Sequence, residues 1–115
     1  MKKHLVLLLA LAATLMMVSC TKDRYYVKYE ASATSIHIGT MTLNVNTENG
    51  SKSFTTSSKL YSETFGPVSK GFQASIKAST NYGASLTTSI YVSKGEDPFV
   101  LKATGGSTSE YVIDY

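Results

Sequence analysis

From Tyr25 onward, apolar and polar residues alternate along the chain with a period of two. Tyr25, Val27, Tyr29 and Ala31 stand against Tyr26, Lys28 and Glu30. Ile36 and Ile38 flank His37, and Met41, Leu43 and Val45 stand against Thr42, Asn44 and Asn46. Further on, Phe72, Ala74, Ile76 and Ala78 alternate with Gln73, Ser75, Lys77 and Ser79; Leu86, Thr88, Ile90 and Val92 alternate with Thr87, Ser89 and Tyr91. Successive side chains of a strand point to opposite faces, so each run predicts a strand with one buried face and one wet face. No sustained i, i+3, i+4, i+7 pattern argues for a helix. Lys52 to Thr56 predicts a polar strand at a sheet edge, and Leu60 to Phe65 and Phe99 to Ala103 predict short strands.

The breaks between runs carry turn chemistry. Asn49-Gly50, flanked by alternating runs, predicts a hairpin, because both residues tolerate positive φ. The apolar parity flips across Gly39-Thr40, which predicts a bulge or a bend. Gly66-Pro67 and Lys70-Gly71 are expected to bracket a loop. Asn81-Tyr82-Gly83 and Lys94-Gly95-Glu96-Asp97-Pro98 predict turns, and Gly105-Gly106 a hairpin turn, before Tyr111, Ile113 and Tyr115 close the chain. Short strands at near-regular spacing, about seven to eight of them, predict an all-β fold: an antiparallel β-sandwich over 25–115, Ig-like in the loose sense. A small barrel is the alternative.

The first residues follow a different rule. Met1-Lys2-Lys3-His4 is basic, and Leu5 to Val18 is almost unbroken apolar sequence. A run of about fourteen residues is too short to cross a hydrocarbon core as a helix and matches the apolar region of a signal peptide. Cys20, the only cysteine in the chain, follows it directly after the small residue Ser19. A lone cysteine in an exported protein cannot form an internal disulfide and needs another explanation. Met16-Met17-Val18-Ser19-Cys20 resembles the bacterial lipobox, in which the thiol is alkylated by diacylglycerol, the leader is cut and the new amine is acylated. That resemblance implies a signal peptide over 1–19, cleavage between Ser19 and Cys20, acyl chains such as palmitate on Cys20, and a short linker over 20–24. The alternative is an ordinary cleavage site beside an incidental cysteine. Each buried CH₂ contributes about 0.8 kcal/mol, so several chains anchor stably where one would not.

Removal of the leader changes the charge argument. Without Lys2 and Lys3 the eleven basic residues become nine, against eight acidic ones. The remainder is close to neutral and lacks a Lys/Arg cluster, which excludes nucleic acid as the expected partner. His37 is the only histidine after the leader and predicts a solvent-facing strand residue; with no second His or Cys, no zinc site with N/S ligands is expected. The carboxylates are scattered, and no nucleophile elbow or phosphate-cradling loop occurs. Glu96-Asp97 predicts a solvated turn and not a calcium site. The sequence therefore predicts neither an enzyme nor a cofactor.

All eight tyrosines follow the leader. Strand parity turns Tyr26 and Tyr91 away from their apolar neighbours, and Tyr82 falls on a turn. Such rings offer rigid apolar area with a polar tip, suited to a protein interface or to stacking on sugars. These three residues are the candidate interaction surface.

A family likeness lies in the order of five segments: "YYVKYEASA" (Tyr25 to Ala33), the Asn46 to Gly50 turn, "KLYSETF" (Lys59 to Phe65), "GFQASIKAS" (Gly71 to Ser79) and "TTSIYVSKG" (Thr87 to Gly95). In these the chain resembles small lipoproteins of Bacteroidetes, whose mature domains look related to the mycobacterial small membrane-protein family that accompanies RND-type lipid transporters. The chain departs from the pattern in lacking a proline and tryptophan at "KLYSETF", and in carrying Ser93-Lys94-Gly95 where Asp-Gly is common. The resemblance implies an Ig-like sandwich anchored in the cell envelope. Together, the expected function is a non-catalytic, membrane-anchored structural or accessory protein that binds an envelope protein. The alternative is a glycan-binding module that takes a polysaccharide on exposed tyrosines. Thr21 after Cys20, in place of aspartate, points to the outer membrane, on either its periplasmic or its surface face.

Overall fold

The computed structural model describes residues 24–34, 39–81 and 84–115. The signal segment, Ser19, Cys20, the strand expected around His37 and the residue Tyr82 lie outside the described residues. Eight strands follow one another: β1 (Tyr25–Ala33), β2 (Met41–Thr47), β3 (Gly50–Thr56), β4 (Leu60–Val68), β5 (Gln73–Thr80), β6 (Leu86–Lys94), β7 (Val100–Gly105) and β8 (Thr108–Val112). They form two four-stranded antiparallel sheets, in the orders β4-β1-β6-β7 and β3-β2-β5-β8, packed face to face. The protein is an all-β antiparallel sandwich.

The alternation sets which face is buried. Tyr25, Val27, Tyr29, Ala31, Met41, Leu43, Val45, Ala74, Ile76, Ala78, Ile90 and Val92 all turn inward and are buried. Burying a side chain such as Leu43 or Ile76 contributes roughly 1.5–3 kcal/mol. Thr88, though polar, occupies an apolar-parity position and is fully buried. Its hydroxyl lies 2.7 Å from that of Ser109, which also donates to the Thr88 carbonyl at 3.1 Å. This buried pair satisfies both hydroxyls and joins β6 of one sheet to β8 of the other.

Tyr29 makes a second bridge between the sheets. Its hydroxyl donates to the Asn46 carbonyl at 2.6 Å and accepts from the Ser75 N–H at 3.1 Å. Burial, opposed in part by the hydrogen bond from Ser75, pushes this phenol up to about 12. Beside it, Phe54, Tyr61 and Phe65 close the side of the sandwich between edge strands β3 and β4. Phe54 lies 5.9 Å from Tyr61 and 6.2 Å from Phe65, and Tyr29 lies 6.0 Å from Phe65. Burial, and then the neighbouring Glu63 carboxylate that accepts its hydroxyl proton, raises the Tyr61 phenol.

Two local expectations are corrected. Gly66-Pro67 does not bracket a loop; β4 runs through it to Val68. The pair faces the single residue Tyr26 in a bulge between Tyr25↔Val68 and Val27↔Phe65. Because β4 is an edge strand, the missing proline N–H costs no ladder bond. Gly105-Gly106 does not turn a hairpin, because β7 and β8 belong to different sheets. At the first hairpin, Thr47 pairs with Gly50 around Glu48-Asn49. Only Gly50 takes positive φ there; no non-glycine residue in the described structure does.

Candidate functional site

The outward face of the β4-β1-β6-β7 sheet gathers the sequence-predicted tyrosines that are described. Tyr26 pairs with Ser93, and Lys28 pairs with Tyr91, so Tyr26 and Tyr91 are diagonal neighbours on adjacent strands. Both are half-buried. The Tyr26 ring lies over Gly66: a Cβ there would fall 2.9 Å from Tyr26 Cδ1. The Lys28 ammonium stands over the Tyr91 ring at 4.7 Å and beside the Phe99 ring at 5.1 Å. The same ammonium lies 3.6 Å from the Glu30 carboxylate. A partly desolvated cation between two ring faces is held more firmly than the exposed ion pair alone would hold it. The Tyr91 ring therefore carries a cation on one face, and the Tyr26 ring rests against Gly66. Tyr82, the third predicted member, lies outside the described residues.

Farther along the same face runs a shallow groove of about 300 Å³. Glu30, Ser32, Leu60, Ser62, Thr87 and Ser89 line it. Ala31 and Tyr61 also border it, so hydroxyls and one carboxylate alternate with apolar surface, and Leu60, 65% exposed, stands at its rim. Among the described residues no three of His, Cys, Asp and Glu come together as a metal site. Glu96 and Asp97 are exposed on their turn, as predicted.

Sequence reasoning missed Lys28 and Phe99 as members of this face, and Leu101 beside them, which pairs with Tyr91. The signal was present: Phe99-Val100-Leu101 is an unbroken apolar run where strict alternation would have placed a polar residue. β7 carries a bulge between Ile90↔Ala103 and Tyr91↔Leu101, which leaves Lys102 as the extra residue. Lys102 reaches the Tyr115 ring at 4.0 Å and the Tyr111 ring at 6.0 Å. Tyr25 stacks edge-on against Tyr115, with ring centres 5.7 Å apart, and donates its hydroxyl proton to the Tyr115 carbonyl. Lysine and tyrosine thus close the β7–β8 side, as the phenylalanines help close the other.

Set against protein-family models, curated proteins and solved structures, the chain matches none of them. Among the described residues, no helix is long and apolar enough to cross a membrane.

Proposed function

We propose that this protein is a cell-envelope lipoprotein, held to the outer membrane by lipid on Cys20, whose sandwich binds another envelope protein without catalysis. The lipobox-like Met16 to Cys20 segment and the likeness to Bacteroidetes lipoproteins support the anchoring. The observation that carries the binding role is the outward face of the β4-β1-β6-β7 sheet. There, the half-buried Tyr91 ring holds Lys28 in place beside a groove rimmed by the exposed Leu60. Fixed rings and a positioned cation suit a protein interface, because little side-chain entropy is lost on docking. Lys28 over Tyr91 occupies the ring face that a sugar would stack on, which favours a protein over a polysaccharide.

The test is photo-crosslinking in intact cells. A photoreactive phenylalanine analogue at Leu60 is expected to capture one envelope protein. The same analogue at Thr55, on the outward face of the opposite sheet, should capture none. Tyr91→Ala should weaken the Leu60 adduct by about tenfold, the loss typical of an interface anchor. Loss of the adduct on adding soluble polysaccharide would assign the face to glycan binding instead. Equal capture from Leu60 and Thr55 would remove the face from the account.

A further inference from the structure

The exposed apolar residues are unevenly distributed. Six large hydrophobic side chains stand exposed in the described structure: Leu60, Phe99, Val100, Leu101, Val112 and Tyr115. Leu60 pairs with Ser32, at the far end of β1. The other five lie toward the end where β1 begins. Val100 and Leu101 pair with Val92 and Tyr91, which pair in turn with Val27 and Lys28. Val112 pairs with Gln73 at the start of β5, and Tyr115 packs on Tyr25. Phe99 follows the turn after Lys94, which pairs with Tyr25.

Arg24 stands at this same end, where its carbonyl accepts from the Gly95 N–H at 2.7 Å. Only Thr21, Lys22 and Asp23 separate it from Cys20. At 3.3–3.6 Å per residue, Arg24 can lie no farther than roughly 14 Å from an acylated cysteine. A nine-residue strand such as β1 spans about 30 Å. The tether therefore holds the apolar end, and not the Leu60 end, at the membrane.

We infer that this end of the sandwich rests on the bilayer surface, with Phe99, Val112 and Tyr115 in the interface and Lys94 and Lys102 at headgroup depth; the inference rests on the lipoprotein reading. Aromatic rings with a polar tip settle at the headgroup level, and lysines lay their stems on apolar surface while the ammonium stays wet. Lys94 and Lys102 already extend over tyrosine rings in this manner, with Lys94 5.9 Å from both Tyr25 and Tyr115. Glu96, Asp97 and Asp114 share the end and offset the lysines. The contact is therefore apolar and aromatic in origin and forms on zwitterionic lipid without anionic lipid.

The chain contains no tryptophan, so any tryptophan introduced is a unique reporter. The full chain bearing Phe99→Trp, Val112→Trp or Leu60→Trp would be extracted from bacterial membranes and checked by intact mass for acyl chains. Each would then be reconstituted into phosphatidylcholine vesicles with brominated acyl chains. With acyl mass present, emission from Phe99→Trp and Val112→Trp should shift to the blue and be lost to the bromines, while Leu60→Trp emission stays unchanged. Two exposed positions on different strands guard against a misfolded single variant. Acyl mass present with no quenching at either position, or with Leu60→Trp quenched equally, overturns the inference alone. Absence of acyl mass overturns the lipoprotein reading and the inference with it.

Discussion

Tyr29→Ala is expected to leave the protein largely unfolded at ambient temperature. Removing a buried aromatic ring costs about 3–5 kcal/mol through lost transfer energy and the cavity left behind. The Asn46 carbonyl and the Ser75 N–H would also lose their partner, at about 1–3 kcal/mol for each buried group left unsatisfied. A domain of this size holds only about 5–15 kcal/mol in total. Tyr29→Phe isolates the hydroxyl: the ring stays, and the loss should fall to about 1–3 kcal/mol for each of the two backbone groups left without a partner. Urea unfolding followed by circular dichroism distinguishes the two, with the midpoint falling moderately for Tyr29→Phe and the folded baseline vanishing for Tyr29→Ala.

The same residue sets an alkaline limit. Its folded-state value of about 12 stands above the ordinary phenol value, which applies when the chain unfolds. A raised folded value means that its contribution is fully present below about pH 10 and is lost as the pH climbs through about 12. The wild type should lose stability across that window more steeply than Tyr29→Phe. Tyr61, also raised by burial and then by Glu63, leaves Tyr29→Phe some residual sensitivity. Equal slopes would show that the Tyr29 phenol is not raised by burial in the folded protein.

Gly66→Ala should be strongly destabilising. Gly66 holds φ at +140°, and a Cβ there would come within 2.9 Å of both the Tyr25 carbonyl oxygen and the Tyr26 ring. The backbone conformation alone costs a side-chain-bearing residue of order 1–3 kcal/mol. Collision with the Tyr25 carbonyl adds about 1–3 kcal/mol, because main chain cannot swing aside as a side chain can. Gly71→Ala is the control. Gly71 also has positive φ, +95°, but nothing lies within 4 Å of its added Cβ, so only the conformational cost should appear. Thermal unfolding of the pair separates crowding from conformation; equal losses would mean that Tyr26 and its bulge yield freely.

These two residues mark where the sequence was legible. Tyr29 sits on the apolar parity of an alternating run, and period-two alternation fixes the inward face of a strand without knowledge of its neighbours. For the same reason the cores of β1, β2, β5 and β6 could be read residue by residue. Gly66-Pro67 could not. Locally it has the chemistry of a loop, and only the position of β4 at a sheet edge, opposite Tyr26, lets it continue as a bulged strand. Gly105-Gly106 failed similarly: a glycine pair marks a reversal, but whether the chain re-enters the same sheet or crosses to the other depends on partners far away in sequence. Of the candidate site, parity placed Tyr26 and Tyr91 on one outward face. Lys28 shares the parity of Tyr26 and so the same face; Phe99 and Leu101 joined through the pairing of β7 with β6, which no local pattern encodes.

Anchoring, and the membrane contact that depends on it, rest on acylation of Cys20. Intact-mass spectrometry of the protein from a bacterial membrane fraction, beside a Cys20→Ala variant, tests it most directly. The wild type is predicted to begin at Cys20 and to carry acyl mass, and the variant to lack that mass and leave the membrane fraction. A wild-type chain that begins elsewhere, carries no acyl mass and fractionates as Cys20→Ala does would contradict the lipoprotein reading.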